Sequence, residues 1–382
     1  MMQKKSLAAL VATLFAVPFA AHADVTIYGF LSSGIESTKA TGATDGSSSE
    51  YKSRTRIVDH NSRIGFKGTE DLGNGTKAIW QVESSLRNFE QGGTNDKNQS
   101  ATFATRNSFV GLDNANFGKV LVGQNDTAYK TLTNIGLNLF GDTTAENNGS
   151  SSVYSRGEQR LINSVHYFSP NWSGFQLGVS YGVDETRTDS VATNGSTDAT
   201  RLSLAGNYTN GGLQVAAGWD RQNDKGNYKG ATLYSGKNTN FYKLATSYKF
   251  ATGTFVGAGY EFGRFDATTG GTTLKQDDWT LSVGQDIGAA TLKLEYSSLG
   301  RLKGAAAGTE DDYKAHQWAL GADYNLSKST KVFSYYTKIT NKAKQSANFA
   351  NNAVYTSVSG TTGTLAAGND PQAFGVGLKV AF

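Results

Sequence analysis

The side chains with chemical potential in this sequence are cations that alternate with apolar residues. In Arg63-Ile64-Gly65-Phe66-Lys67 the two charges take one face of an extended segment, and Ile64 and Phe66 take the other. By the same parity Arg160 lies opposite Leu161, Val165 and Tyr167, and Arg87 falls on the polar face of its own strand. Cations so placed make and break no bonds; on a wet face beside a narrow gap, their field sorts ions by sign. Catalysis would need a nucleophile or paired acids beside a histidine. Beyond residue 23 the histidines are His60, His166 and His316, and His166 reads as a plain residue of the polar face. No Gly-x-Ser-x-Gly turn, His-Glu-x-x-His helix or phosphate loop is present, and Gly257-Ala258-Gly259 lies on a strand, where glycine gives space. The loop acids Asp311 and Asp312 could hold calcium, but no ligand spacing singles them out. No catalytic residue, metal or cofactor is expected.

Such cations need strands with one apolar face to carry them. In the stretch Gln372 to Phe382 the residues Phe374, Val376, Leu378, Val380 and Phe382 alternate with Ala373, Gly375, Gly377, Lys379 and Ala381. The free edge of that strand needs a partner, and Val25 to Glu36 is the expected one. Their pairing would close a barrel, apolar outside and polar within, as a membrane barrel requires. The same two-residue period runs through Phe175 to Gly182, Tyr242 to Phe250 and Thr291 to Tyr296. Thr330 to Lys338 is ambiguous, because Val332, Phe333, Tyr335 and Tyr336 occupy both faces. Trp172, Trp219, Tyr248 and Phe382, near strand ends, are candidates for interfacial girdles. A soluble β-sandwich would show similar alternation, but its strands are usually about five or six residues long. Many here run past that, which suits a tilted span of the hydrocarbon layer.

Composition agrees. The sequence has 45 glycines, 18 tyrosines and 20 phenylalanines against 3 prolines and 2 methionines, which favours strands and turns over helices. There is no cysteine, so disulfides and thiolate metal sites are excluded. Residues 1–23 carry Lys4 and Lys5, an apolar run from Leu7 to Phe19 and the small-residue exit Ala21-His22-Ala23, and read as a cleaved export signal. Residues 24–382 would then form one barrel domain. The formal net charge of +4 includes those two lysines, too little to point to nucleic acid.

Connections between the alternating segments come in two kinds. Short ones rich in Gly, Asn and Ser fall at 71–75, 114–118, 169–174, 209–212, 251–253, 286–288 and 325–329. Long polar ones fall near 39–57, 90–103, 124–157, 185–198, 223–239, 267–274, 303–312 and 343–370, and the two kinds alternate. This predicts an all-β fold: a 16-stranded antiparallel transmembrane β-barrel with short periplasmic turns and long extracellular loops.

The stretch from Asp59 to Trp80 narrows the class. Arg63-Ile64-Gly65-Phe66-Lys67-Gly68, Glu70-Asp71-Leu72-Gly73-Asn74-Gly75 and Ala78-Ile79-Trp80-Gln81 resemble the second strand, turn and third strand of Gram-negative general diffusion porins, beta-proteobacterial type. Val25 to Gly29, Arg106 to Leu112, Phe117 to Gly123 and the terminal aromatic fit the same pattern in order. The resemblance implies a homotrimer in outer-membrane lipid that passes small ions and hydrophilic solutes, its third long loop folded into the pore. It also implies that Arg63, Arg106 and Arg160 form the basic wall of a constriction; Arg87, by its parity on the third strand, is a fourth candidate. The family often carries a lysine where this chain has Phe30, which implies a less basic and tighter gap on that side.

Opposing carboxylates are expected on loop 124–157. Its Leu137-Asn138-Leu139-Phe140-Gly141-Asp142 tract can hold it to the wall, and Asp142 and Glu146 are the expected acidic side. Asp126 and Glu158 are candidates for structural partners of arginines. Several arginines against few acids predict a slight anion preference. The alternatives are a solute-specific channel and, less favoured, an adhesin or barrel hydrolase.

Overall fold

A computed structural model of the chain describes residues 24–86, 103–183, 199–223, 238–266, 271–359 and 362–382, with short paired segments at 189–190, 195–196, 226–228 and 231–234. The expected export signal and Arg87 lie outside the described residues. Sixteen antiparallel strands close into one barrel. They are β1 (Asp24–Thr41), β2 (in two segments, Tyr51–Asp59 and Arg63–Gly73), β3 (Thr76–Ser85), β4 (Ser108–Asn114) and β5 (Gly118–Asp126). Then come β6 (Arg160–Phe168), β7 (Phe175–Gly182), β8 (Arg201–Asn210), β9 (Leu213–Gln222), β10 (Thr239–Lys249) and β11 (Thr254–Phe265). The last are β12 (Leu274–Ile287), β13 (Ala290–Leu299), β14 (Ala315–Asn325), β15 (Thr330–Asn341) and β16 (Asp370–Ala381). A single α-helix of the described residues, α1 (Ala128–Thr133), lies in the third long loop.

Closure is made where the sequence places it. β1 pairs with β16 from Phe30↔Ala381 to Thr41↔Asp370, and Gly29 and Phe382 exchange backbone hydrogen bonds beyond that ladder. At 18 residues β1 is long enough to pair with both segments of β2 as well. Between those segments Asn61 turns to φ 59, and the ladder breaks. Side chains cover the gap: the Ser32 amide donates to Ser62 Oγ, and the Asp59 carboxylate accepts from the Ser62 amide. The backbone thus meets its partners without water, as a wall set in hydrocarbon must.

The period of two sorts the faces. Leu292 and Leu294 are 50% and 42% exposed on the outer surface, while their neighbour Glu295 is 2% exposed inside. Val25, Ile57, Val110, Leu244 and Leu281 stand on the same apolar outer surface. Each such side chain gains about 1.5–3 kcal/mol on leaving water, so a band of them belongs in lipid. Among the described residues no helix is long and apolar enough to cross a membrane. Trp172 stacks on Phe175 and Tyr248 packs on Phe250 at the short-turn rim, where interfacial aromatics are expected. The ambiguity of β15 also resolves: Val332 faces outward, while Phe333 and Tyr335 are buried inside the barrel. They are aromatic because the lumen there is packed with loops rather than filled with water.

Candidate functional site

Loop 127–159 enters the barrel through α1. Thr127 caps the helix by accepting from the Lys130 amide, and lumen-side serines take the first orphan amides, Ala128 to Ser180 and Tyr129 to Ser203. Tyr129 Oη donates to Glu261 at 2.5 Å, and Ser247 and Ser282 donate to the Ile135 and Leu137 carbonyls. Gly257 and Gly259 face Leu137 and Tyr154, so close that a Cβ would collide with both; the glycines give space, as the sequence predicts. The loop then turns at Asp142, whose φ of 71 is one that Asp tolerates better than most residues.

That turn puts Asp142 against the wall. Its carboxylate forms an ion pair with Arg63, accepts from Asn61 Nδ2 at 2.9 Å and lies 3.4 Å from Lys379 Nζ. The Phe30 ring packs against both cations, with Arg63 4.6 Å and Lys379 3.5 Å from its centroid. The side of the gap expected to be less basic is therefore supplied with a cation by β16. Arg106 is paired with Glu83, which also accepts from Tyr28 Oη at 2.9 Å. Arg160 lies 3.2 Å from Asp126 and donates to Asn107 at 2.7 Å. Counting from Val165 does not by itself aim Arg160, because the β5–β6 ladder slips between Gly123 and Asn125 and Asn163 takes φ 49. The ion pair places it in the lumen all the same. Lys130 shares Asp126, at 3.2 Å. Glu158 meets a lysine rather than an arginine: Lys243 Nζ, at 2.7 Å.

Glu146 accepts from the Asp142 amide at 2.9 Å, from Asn138 Nδ2 at 2.8 Å and from Asn351 Nδ2 at 2.5 Å. Burial, reinforced by the Asp142 charge, pushes its carboxyl up to about 7. A cavity of about 620 Å³ joins these groups, lined by Arg63, Arg106, Lys130 and Arg160 and by Asp126, Asp142, Glu146 and Glu158. A second cavity, of about 740 Å³, opens toward the short-turn end and shares Asp126, Lys130 and Asn134 with the first. The lumen is thus a wet passage with charged walls, narrowed where loop 127–159 crosses it.

Residues 6–344 match the family described as Gram-negative porin. The chain belongs to the Gram-negative porin family. Like the other members, this porin is an outer-membrane protein. It is 32% identical to the major outer membrane protein P.IB of Neisseria lactamica over 86% of this chain and 91% of that one. Against P.IB of Neisseria meningitidis serogroup B it is 38% identical over 56% of this chain, and the match spans only 58% of that relative's length. Its backbone superposes on the anion-selective porin from Comamonas acidovorans with a TM-score of 0.71, at 24% identity, over 94% of this porin and all of the other.

Arg63, Arg106, Arg160, Asp142 and Glu146 all line one cavity in this porin, and Arg87 lies outside the described residues. Three participants escaped the sequence reading. Lys379 was legible, since it sits on the polar face of the terminal strand; Lys130 could be found from its spacing of four from Asp126. The third is the eighth long loop, 342–369, which places Ala350 and Asn351 in the cavity lining, so the third loop does not narrow the lumen alone. His166 is a wall residue, bonded to Ser164 and Ser180 at 2.7 Å each. Asp311 pairs with Lys314 at 2.5 Å, and among the described residues no three His, Cys, Asp or Glu side chains converge as a metal site.

Proposed function

We propose that residues 24–382, after removal of residues 1–23, form a homotrimeric general diffusion channel for ions and small hydrophilic solutes. The observation that carries this reading is the pair of joined cavities, one ringed by four cations and four acids and the other leading to the short-turn end. Arg63, Arg106 and Arg160, with Lys130, act as fixed wall charges, and Asp142 and Glu146 as the acids of the opposing loop. Lys243 compensates Glu158, Asp126 lies between two cations, and Glu146 is only partly ionised near neutrality, so the balance is slightly positive. A slight anion preference follows.

Planar-bilayer recording tests this. The expected result is current that appears in steps of three, stays linear with solute concentration, and reverses in a salt gradient on the anion side. A clear cation preference would refute the sign; saturation by one solute would point to a specific channel, and absence of current to an adhesin or an enzyme.

A further inference from the structure

The eighth long loop is built into the constriction. Its Ala347, Phe349 and Val354 share a buried cluster with Phe140, Ala145 and Val153 of the third loop, against Tyr335 and Ile339 of the wall. Polar contacts fix its register. Arg56 donates to the Asn352 carbonyl and, at 3.2 Å, to that of Ala353; Asn352 Nδ2 reaches the Asp59 carbonyl at 3.0 Å and Thr144 Oγ1 at 3.2 Å. The Asn348 amide donates to the Ser151 carbonyl at 2.9 Å. Asn351 Nδ2 thereby donates to Oε2 of Glu146 at 2.5 Å and, at 3.5 Å, to the Thr143 carbonyl.

We propose that Asn351 is a positioning residue for conduction, through which loop 342–369 holds the Glu146 carboxylate at the rim of the constriction, so that the two loops jointly set ion preference. The proposal rests on the channel reading above. An amide N–H donated to a carboxylate favours its ionised form. The groups facing Glu146 are Asp142 of its own loop, Lys130 of α1 and Glu295 of β13, with Arg63, Arg106 and Arg160 lining the same cavity and Lys379 behind Asp142. Of these, Asp142 and Glu295 oppose the charge that Asn351 supports. Without that donor Glu146 stays protonated to higher pH, and the pore becomes more anion-selective at neutrality.

The test is the reversal potential of the full chain in a potassium chloride gradient from pH 5 to 9. In the native chain anion preference should fall as pH rises, with a midpoint near 7. Asn351→Leu, similar in volume but without a donor, should move the midpoint up by about one pH unit. Asn351→Asp keeps the shape, sets a second carboxylate beside the first, and should move it up further. Glu146→Gln should flatten the profile, and Asn351→Leu added to it should change nothing more. A heat-modifiable band on gels checks that each barrel is closed, and either Asn351 variant alone suffices to read the shift. A conducting native channel whose midpoint neither substitution moves overturns the role of Asn351 and leaves the channel reading intact. An equal effect of Asn351→Leu in the Glu146→Gln background overturns it too, and a native chain without current overturns both.

Discussion

At the scale of single residues, selectivity depends on which charges have partners. Asp142 is shared between Arg63 and Lys379, and Phe30 packs against both cations, so the field there is that of two positive groups and one negative group. Replacing Lys379 by Gln removes one of the two. A unit charge a few ångströms from a water-filled gap is worth about 1 kcal/mol or less, so the anion-to-cation permeability ratio should drop about two- to five-fold. An unchanged ratio in Lys379→Gln would show that Asp142 simply screens that lysine. Glu146 gives the pH dependence of the loop. Its carboxyl is raised from an ordinary 4.5 to about 7, by burial first and Asp142 second, so between those values the folded state binds more protons than the unfolded. Stability of the docked loop is therefore fullest below pH 4.5 and declines as pH rises through 7. Hydrogen exchange of loop amides at pH 5 and pH 8 checks this: protection should be greater at pH 5, and Glu146→Gln should remove the difference.

At the scale of elements, the strands present faces, and loop 127–159, together with loop 342–369, makes the gap. It rests on close approach at Gly257 and Gly259 and on a packed cluster around Phe140. Gly259→Leu would overpack that contact, at about 1–3 kcal/mol, and the loop rather than the wall should yield. Single-channel current should become noisier while the barrel remains heat-modifiable on gels; a quiet channel of native conductance would show that the loop does not lean on Gly259. This level also marks the limit of what sequence conveys. Turn and loop spacing is legible because each connection is local, and Arg63 is legible because parity on β2 is unbroken from Arg63 to Lys67. Arg160 is in the lumen as expected, but the count from Val165 crosses the slip at Asn163, so parity alone does not account for its direction. Asn351 and the inward aromatics of β15 are illegible for another reason. Their partners lie on loops far away in sequence, and nothing local in Tyr335 says that it will meet Glu36 and Thr144.

At the scale of the molecule, the controlling event is closure of β1 on β16. Until it happens β1 presents an open edge from Phe30 to Thr41 and β16 a second one from Asp370 to Ala381; without β16 the second edge is that of β15, Thr330 to Lys338. Each unpaired amide or carbonyl left in hydrocarbon costs several kcal/mol, so a nearly complete barrel in lipid is far less stable than a closed one. Deleting residues 370–382 should therefore abolish the heat-modifiable form and all bilayer current, although fifteen strands and the whole constriction except Lys379 remain. Phe382→Ala is the informative contrast. The two backbone hydrogen bonds between Phe382 and Gly29, at 3.0 and 3.1 Å, survive it, and the ring it removes is about half exposed. That variant should close and conduct with native selectivity, with a lower melting temperature as its main defect. If the deletion inserted and conducted like the native chain, strand pairing would not be what holds the pore open, and the charged gap would need a different scaffold to explain it.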